Sequence, residues 1–566
     1  MKKKHIEISK NEKNSQLLEV IGDIATISNL ESSFRILAKD GIQFAPAVRE
    51  KRWDGKIPFF KDNELPIGLL QELMKVCNKK GITYEINFKT KNNLNYIKFK
   101  GWVDKLNLPF KPREYQYKMA FDVINDKMVS AQSETSSGKS FSAYQLVRFM
   151  LMKKKRVMLI VPSIDLIHQM RGDFEKYNWK NIDKYTQLIG DKFTDKDFNK
   201  PLIITTWQSL NAKRIQFYRK TIKSNIKDTN KAKAISKQSG NLIKKNEIQK
   251  IKNLFSRYKK HFTNYENLNA EIDIFENKIK QDFATIDVII GDEVDTLSSD
   301  LIKGLFDLCK NANYRLGMTG TMMEKKFANW YQIASNFGDV KVYNDYKSLQ
   351  KDGHISDFKV YSKILDYPTS ERIKFYEEAR KDYVTQQEEI AKLDSKKRYL
   401  IELLNNTDGN TLVLFNLKEK EGHYYREYFK NNKKLKKKFY YIDGDVKNRT
   451  KIIDELRDSK EEWVVFGSRN TLSRGINIPS LKNVILISTF KSFATLIQSI
   501  GRIARLHDGK NTNSRVIDLV DNCVVEYSGL KVNFSVSQYY DRLETYKKKK
   551  IDVFEEKIDM SKYYLT

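Results

Sequence analysis

Short apolar runs separated by stretches of helical spacing dominate the chain from Lys111 to about Gly338. The runs are Lys127–Gln132, Arg156–Val161, Leu202–Thr205, Asp287–Ile290 and Tyr314–Met318. Runs this short and this apolar suit strands buried on both faces. Their alternation with helical stretches predicts a doubly wound parallel sheet. A second series follows at Thr411–Phe415, Phe439–Ile442, Trp463–Phe466, Val484–Ser488 and Ser514–Leu519. The predicted fold class is therefore α/β, with two parallel-sheet units in tandem. Ahead of them, Thr83–Phe88 and Tyr96–Phe99 are strand-like and Leu69–Cys77 has helical spacing, which suggests a small α+β domain. The expected boundaries are 1–105 for that domain, 106–338 and 339–525 for the two sheet units, and 526–566 for a helical tail that carries the Lys-rich stretch Tyr539–Lys550.

Residues 211–284 interrupt the first unit. The segment is polar and helical in pattern, with roughly eighteen basic and seven acidic residues. It reads either as a solvated helical hairpin or as a nucleic-acid clamp. The whole chain of 566 residues shows the same bias, with Lys+Arg 103 against Asp+Glu 72, a net charge of +31. Such an excess suits a polyanionic partner, since each neutralised phosphate releases a counterion. The abundance of Asn, Ile and Tyr beside Lys also fits an AT-rich genome, so basicity alone does not establish nucleic-acid binding.

Hydrophobic residues make up 40% of the chain and aromatics 12%, enough for real cores, while 31% charge and a mean hydropathy of -0.60 leave room for polar surface segments. The three cysteines, Cys77, Cys309 and Cys523, are far apart and form neither a disulfide framework nor a zinc cluster. No apolar run approaches the roughly 20 residues of a membrane helix. Met1-Lys2-Lys3-Lys4-His5-Ile6-Glu7 carries basic residues without an apolar region behind them, unlike a signal peptide. The expectation is a cytoplasmic protein without a membrane partner; the oligomeric state is not legible.

Three motifs carry chemistry. Ser133-Glu134-Thr135-Ser136-Ser137-Gly138-Lys139-Ser140 lies between a predicted strand and the helical run Phe141–Met150. A loop in that position cradles phosphates: backbone N–H groups and the helix N-terminus take phosphate oxygens, Lys139 reaches the β and γ phosphates, and Ser140 holds Mg²⁺. Ser133 stands where the pattern usually begins with glycine, and Gly-Lys-Ser alone in so Lys-rich a chain reads first as a surface turn. Ile289-Ile290-Gly291-Asp292-Glu293-Val294-Asp295 closes an apolar strand, where open α/β sheets bind ligands. Asp292 suits a Mg²⁺ shell and Glu293 suits a base that deprotonates water; an acidic surface loop is the other reading. Gln498-Ser499-Ile500-Gly501-Arg502-Ile503-Ala504-Arg505 puts two arginines three apart on one helical face. Their planar forks suit phosphate oxygens, and a solvated basic face suits the same spacing.

Taken together, the three motifs resemble the superfamily 2 helicases and translocases, over roughly residues 111–525. Asp292-Glu293-Val294-Asp295 is similar to the DExD/H box and Gln498–Arg505 to the Q-x-x-G-R-x-x-R motif. Met318-Thr319-Gly320-Thr321 resembles the motif that couples hydrolysis to domain movement. Val161-Pro162-Ser163, with Leu166 and Gln169, and Thr205-Thr206-Trp207-Gln208-Ser209-Leu210 resemble strand-contacting motifs. Arg113-Glu114-Tyr115-Gln116 looks like the adenine-reading motif, with Gln116 on the base edge. Thr471–Pro479, containing Arg474-Gly475-Ile476-Asn477, resembles motif V, with Asn477 where Asp is commoner. In residues 1–105, Phe44-Ala45-Pro46, Lys51-Arg52-Trp53-Asp54-Gly55-Lys56-Ile57 and Leu65-Pro66-Ile67-Gly68-Leu69-Leu70 resemble the first domain of phage UvsW-type recombination helicases.

The resemblance implies two RecA-like domains with ATP in the cleft between them and Mg²⁺ at Ser140 and Asp292. It implies catalytic Lys139, Asp292, Glu293, Arg502 and Arg505. Nucleotide contacts would come from Arg113, Gln116, Thr135, Ser136, Ser137, Gly138, Lys139, Ser140, Gly475, Asn477 and Gln498. Nucleic-acid contacts would come from Lys51, Arg52, Pro162, Ser163, Thr205, Thr206, Gln208, Gly444, Arg449 and Thr471. The implied task is ATP-driven remodelling of branched or forked DNA by fork regression, branch migration and R-loop unwinding, with RNA–DNA hybrids as further partners. For a phage protein the setting would be the host cytoplasm. An RNA helicase, a restriction-type translocase subunit and an inactive ATPase scaffold on DNA are the competing readings.

Overall fold

Strands fall into three groups along the chain, and each group closes into its own sheet. The structure, a computed structural model, describes residues 4–564 apart from 135–136, 191–199, 245, 297–298, 321–324, 352–357, 380–381, 447–448, 469–480, 489–513, 526–532 and 549–550. The chain divides into two compact units: Met1–Ser133 with Gly138–Tyr343, and Glu134–Ser137 with Asn344–Thr566.

The first group is β1 (His5–Lys10), β2 (Leu17–Gly22), β3 (Arg35–Leu37), β4 (Lys56–Pro58), β5 (Glu64–Pro66) and β6 (Thr83–Ile86). The sheet order is β5-β2-β1-β6, with β3 and β4 paired separately. β1 and β2 alternate, so that Ile6, Ile8, Leu18 and Val20 are buried on one face, in one core with Leu30 of helix Ile24–Ser33 and Leu73 and Cys77 of helix Leu70–Lys80. That core also contains Trp330, Tyr331 and Ala334 from helix Ala328–Phe337 of the first parallel-sheet unit. Tyr331 meets Phe34 edge-on at 6.3 Å and Phe59 at 5.4 Å. Gly68 is where the two backbones touch: a Cβ there would lie 2.1 Å from the Ala334 carbonyl oxygen and 2.5 Å from that of Ser335. Gly68→Ala is expected to push the modules apart and cost on the order of 1–3 kcal/mol, the usual range for overpacking. Denaturant unfolding of the two proteins checks this; an unchanged midpoint would contradict it.

Tyr96–Phe99 is not a strand. It opens helix Tyr96–Asp104, because Tyr96, Phe99 and Trp102–Val103 recur at helical spacing and pack on Phe121 and Phe149 in the core of the next sheet.

The second group is β7 (Met128–Gln132), β8 (Val157–Val161), β9 (Thr186–Ile189), β10 (Leu202–Thr206), β11 (Val288–Asp292), β12 (Tyr314–Thr319) and β13 (Val340–Val342). The order is β13-β7-β12-β11-β8-β10-β9, parallel throughout. Every residue of β8 and β10 is buried, as continuous apolar runs require.

Between β10 and β11 the insertion forms helices Ala212–Asn225, Thr229–Lys244, Ile248–Arg257 and Tyr265–Ala284. It is not a solvated hairpin. Tyr218, Ile222, Ile251, Phe255, Phe262 and Ile272 build a core of its own, and Ile279 and Phe283 reach the core of the sheet. Arg214 and Glu276 form a fully enclosed ion pair at 2.8 Å.

The third group is β14 (Phe358–Asp366), β15 (Asn410–Phe415), β16 (Lys438–Ile442), β17 (Trp463–Ser468), β18 (Leu481–Leu486), β19 (Ser514–Asn522) and β20 (Val553–Asp559). The order is β16-β17-β15-β18-β19-β14-β20, again all parallel. Two RecA-like sheets in tandem behind a small α+β module, with a helical insertion, are thus the architecture. The expected helical tail is only partly helical. Helix Phe534–Lys548 is followed by β20, which pairs with β14 from Val360↔Val553 to Asp366↔Asp559. Buried Arg542 clamps that helix to Asp518 of β19 through two bonds of 2.8 and 2.9 Å.

Candidate functional site

Register brings the motif residues of the first parallel sheet together. Gln132 of β7 pairs with Thr319 of β12, and Asp292 of β11 pairs with Met318. The carboxyl ends of three adjacent strands, spaced about 4.8 Å apart, therefore meet at one rim. Ser133 follows β7, buried, and its N–H donates to the Thr319 carbonyl at 3.0 Å. Its backbone is not left-handed, so serine costs no strain where the pattern usually has glycine. Gly138 does need to be glycine: φ is +79°, and a Cβ would lie 2.5 Å from Gln116 Nε2. Lys139 begins helix Lys139–Met152 and its Nζ turns back to the Ser133 carbonyl at 3.2 Å, 4.0 Å from Glu293 Oε1. Ser140 Oγ shares a hydrogen bond of 2.9 Å with the Tyr177 hydroxyl.

Gln116 is buried in the first turn of helix Glu114–Asp126, beside the loop. Its Oε1 accepts from the Arg113 N–H at 2.9 Å, which leaves the amide nitrogen facing Gly138. Arg113 Nη1 donates to the Tyr115 hydroxyl at 2.8 Å.

The acidic residues are crowded. Burial first, and then the neighbouring Glu293, hold the Asp292 carboxyl well above the usual carboxylate range, with Lys139 opposing. Asp295 is pushed up to about 6 by burial and then by Glu293, while Thr319 Oγ1 donates to it at 2.7 Å. Glu293 has a left-handed φ of 48°, rare for a residue with a side chain, and its Oε2 is buried without a hydrogen-bond partner among the described residues. Three carboxylates face one lysine. That surplus, with a hydroxyl and carboxylate oxygens as donors, fits a hard divalent cation. Among the described residues no three His, Cys, Asp or Glu side chains form a metal cluster on their own; in general Mg²⁺ is held by one or two carboxylates together with substrate phosphates.

The residues expected on nucleic acid are more scattered. Pro162 and Ser163 lie half-buried at the end of β8, ahead of helix Ile164–Lys176. Thr205 and Thr206 are buried, and the Thr206 hydroxyl caps helix Trp207–Leu210 by accepting the Ser209 N–H at 3.1 Å. Exposed Gln208 is the member of that motif open to a ligand. Lys51 and Arg52 are exposed, and Arg52 Nε donates to Glu50 at 2.7 Å. Gly444 is exposed just after β16, and Arg449 opens helix Arg449–Asp458. Thr135, Ser136, Thr471, Gly475, Asn477, Gln498, Arg502 and Arg505 lie outside the described residues. Sequence reasoning missed Tyr177 and the Thr319–Asp295 bond. Tyr177 has no motif around it, whereas Asp295 and Thr319 both stood in recognised motifs.

Three family models match in succession. The DNA helicase UvsW N-terminal model matches residues 18–89, the type III restriction enzyme res subunit model 109–324, and the helicase conserved C-terminal domain model 395–507. With this site on these paired sheets, they define a superfamily 2 helicase. Within that superfamily its similarity is to the UvsW type. It is 24% identical over 552 residues to the ATP-dependent DNA helicase uvsW of Enterobacteria phage T4, covering 93% of this chain and 95% of the relative. The crystal structure of T4 UvsW aligns at 21% identity over 98% of this chain and 100% of that one, with a TM-score of 0.44. A fragment of an HsdR subunit of a type I restriction enzyme from Vibrio vulnificus YJ016 aligns at 14% identity over 87% of this chain and 74% of that one, with a TM-score of 0.50, a likeness of fold alone.

Proposed function

We propose that this ATP-dependent helicase remodels branched DNA, regressing forks, migrating junctions and unwinding R-loops. The observation that carries the branched-DNA reading is the core shared by the N-terminal module and helix Ala328–Phe337. Distinguishing a junction from a linear duplex needs a second contact at a fixed distance from the motor. A module joined through Trp330, Tyr331 and Ala334 supplies one, with Lys51 and Arg52 exposed on it.

In this reading the backbone of the loop after β7 and the N-terminus of helix Lys139–Met152 hold ATP phosphates. Lys139 leaves Ser133 and Glu293 for the β and γ phosphates, and Gln116 and Arg113 take the adenine. Ser140 and Asp292 would hold Mg²⁺, which supplies charge neutralisation at the phosphates when bound. Glu293 orients and deprotonates the attacking water. Asp295, hydrogen-bonded to Thr319, links the acidic box to β12 and so to the motif that reports hydrolysis. Arg502 and Arg505 keep the phosphate-gripping role implied by the resemblance, with Gly475, Asn477 and Gln498 around the nucleotide. Pro162, Ser163, Gln208, Gly444, Arg449 and Thr471 follow the nucleic-acid backbone, where phosphate contacts make tracking largely independent of sequence.

The test is ATPase stimulation by forked DNA, linear duplex, single-stranded DNA and single-stranded RNA. Forked DNA should stimulate most. Equal or greater stimulation by single-stranded RNA would move the assignment to an RNA helicase. Among the described residues no helix is long and apolar enough to cross a membrane.

The insertion adds a second DNA surface. Of its eighteen basic residues sixteen precede Phe262, against only Asp228 and Glu247, while five of its seven acids follow in residues 262–284. Lys223 and Lys227, and Lys259 and Lys260, are exposed on two segments tied together by Thr263, whose N–H donates to the Asn225 carbonyl at 2.9 Å. Changing these four lysines to Gln should weaken duplex binding and lower the log–log salt slope by about 0.9 for each phosphate that the variant no longer neutralises. An unchanged slope in the folded variant would make this tip an ordinary solvated surface.

A further inference from the structure

At the amino ends of β7 and β12, opposite the rim that carries Lys139 and Asp292, the N-terminal module and the motor sheet line a partly open cavity of about 180 Å³. Lys10 and Lys89 line it from one module, Lys127 and Arg315 from the other. Its two carboxylates are already engaged. Asp126 pairs with Lys341 at 2.7 Å and Lys91 at 3.7 Å, and Asp339 pairs with Lys75 at 3.1 Å.

Arg315 is only 3% exposed. Its Nε donates to the Ala312 carbonyl at 2.8 Å, Nη1 to the Asn336 carbonyl at 3.0 Å, and Nη2 to Gln16 Oε1. None of these acceptors is charged. A guanidinium carries five N–H groups, so two have no acceptor among the described bonds. Burial lowers its pKa to about 9. Burial, with Lys10 and Lys89 close by, lowers that of Lys127, which also holds a left-handed φ of 69°. Arg315 is the buried cation of the four and also lies 4.4 Å from the centre of the Phe306 ring; Lys127 is half-buried and donates to the Lys89 carbonyl at 3.2 Å, and Lys10 and Lys89 are exposed at the mouth. A buried guanidinium without a carboxylate partner is costly. Six cations line the cavity against two carboxylates; Lys91 and Lys341 pair with Asp126, whereas Lys10, Lys89, Lys127 and Arg315 stand in no described ion pair and are arranged for an incoming anion.

We propose that this cavity binds a single tetrahedral oxyanion of the phosphate class, bridging Lys10 and Lys89 to Lys127 and Arg315. At about 180 Å³ it falls below the roughly 300–1,000 Å³ of drug-sized ligand sites, which favours one phosphate group over a whole nucleotide. The group can come from a DNA phosphodiester or from free phosphate. The bridge would tie the N-terminal module to the motor sheet across the junction that Gly68 closes on its apolar side. The assignment stands on the cavity and its charges, independently of the branched-DNA reading.

The experiment uses the full chain carrying Lys139→Ala, which cripples the other phosphate site. Inorganic phosphate should raise its Tm through preferential binding to the folded state. Adding Lys10→Gln and Lys127→Gln should weaken that effect at least tenfold in phosphate concentration; Lys89→Gln alone, at an exposed position, should weaken it in the same direction. A parallel arm measures duplex DNA affinity against salt. A slope reduced by about one unit in the Lys10→Gln/Lys127→Gln protein assigns the site to a DNA phosphate, and an unchanged slope with the phosphate effect abolished assigns it to free anion. A Tm response to phosphate that is absent, or the same with and without these lysines, would overturn the proposal.

Discussion

Glu293→Gln is expected to bind ATP as the wild type does and to hydrolyse it about 10²–10⁴ times more slowly, the range a positioned general base contributes. Glutamine keeps the size of the side chain and can still hydrogen-bond, but it takes no proton. The setting argues for this residue over its neighbours. Glu293 sits at the carboxyl rim of the sheet in a left-handed backbone conformation, 4.0 Å from Lys139, with one oxygen buried and unpartnered among the described residues. Asp292 and Asp295 differ: burial biases both toward the neutral form, and Asp295 already accepts from Thr319. Lys139→Ala should behave differently again, losing affinity as well as turnover, because its cation meets the phosphates in the ground state too. Single-turnover hydrolysis beside equilibrium binding of a fluorescent ATP analogue separates the two patterns. Wild-type turnover by Glu293→Gln would remove the residue from the chemistry.

The second large effect is structural. Glu276→Ala should melt the helical insertion, at a cost of about 3–5 kcal/mol, because it strands the buried Arg214 charge. Glu276 accepts from Arg214 Nη2 at 2.8 Å and Nε at 3.2 Å, and from the Tyr218 hydroxyl at 3.1 Å. Burial and then this carboxylate push the Tyr218 pKa far up, so the phenol stays a donor. Replacing both charges, as in Arg214→Met/Glu276→Leu, should restore most of the stability, since well-packed apolar pairs often match buried ion pairs. Limited proteolysis within residues 212–275 reads this directly. Rapid cleavage of Glu276→Ala, with the double variant resistant, is the expected result; wild-type resistance of Glu276→Ala would contradict it.

What the chain betrayed in advance followed from burial. The central strands of both sheets are buried on both faces, so β7, β8, β10, β11, β12 and most of β15–β19 stood out as apolar runs. The strands that escaped lack that signature. β20 is an edge strand with only Ile558 buried. β9 is four residues long and β13 three. β14 lies inside its sheet but carries Lys359 and Lys363 between its apolar positions. Tyr96–Phe99 misled because Tyr-Ile-Lys-Phe satisfies a short alternating pattern as well as a helical one, and tertiary packing on Phe121 and Phe149 decided between them. In the insertion, lysines between the core positions hid a helical core that needs all four helices to exist.

The site divides along similar lines. That Lys139, Gly138, Asp292 and Glu293 share one strand rim was legible because each sits in a short local motif at a strand end. The Gln116–Gly138 contact and the Lys139–Glu293 approach required register between distant segments. Thr205 and Thr206 resembled ligand contacts in sequence, yet their place at the end of a fully buried strand turns them inward. Cys77, Cys309 and Cys523 are each buried free thiols, consistent with core packing.

ATP hydrolysis at the rim of β7, β11 and β12 is expected to move nucleic acid. The most direct measurement is strand release from a forked DNA carrying a fluorophore and a quencher on opposite strands, followed for the wild type and for Glu293→Gln. The account predicts release by the wild type with ATP and Mg²⁺, none with a non-hydrolysable analogue, and none by Glu293→Gln even when it is saturated with ATP and bound to the fork. Release that proceeds without hydrolysis, or that survives in Glu293→Gln, would contradict it.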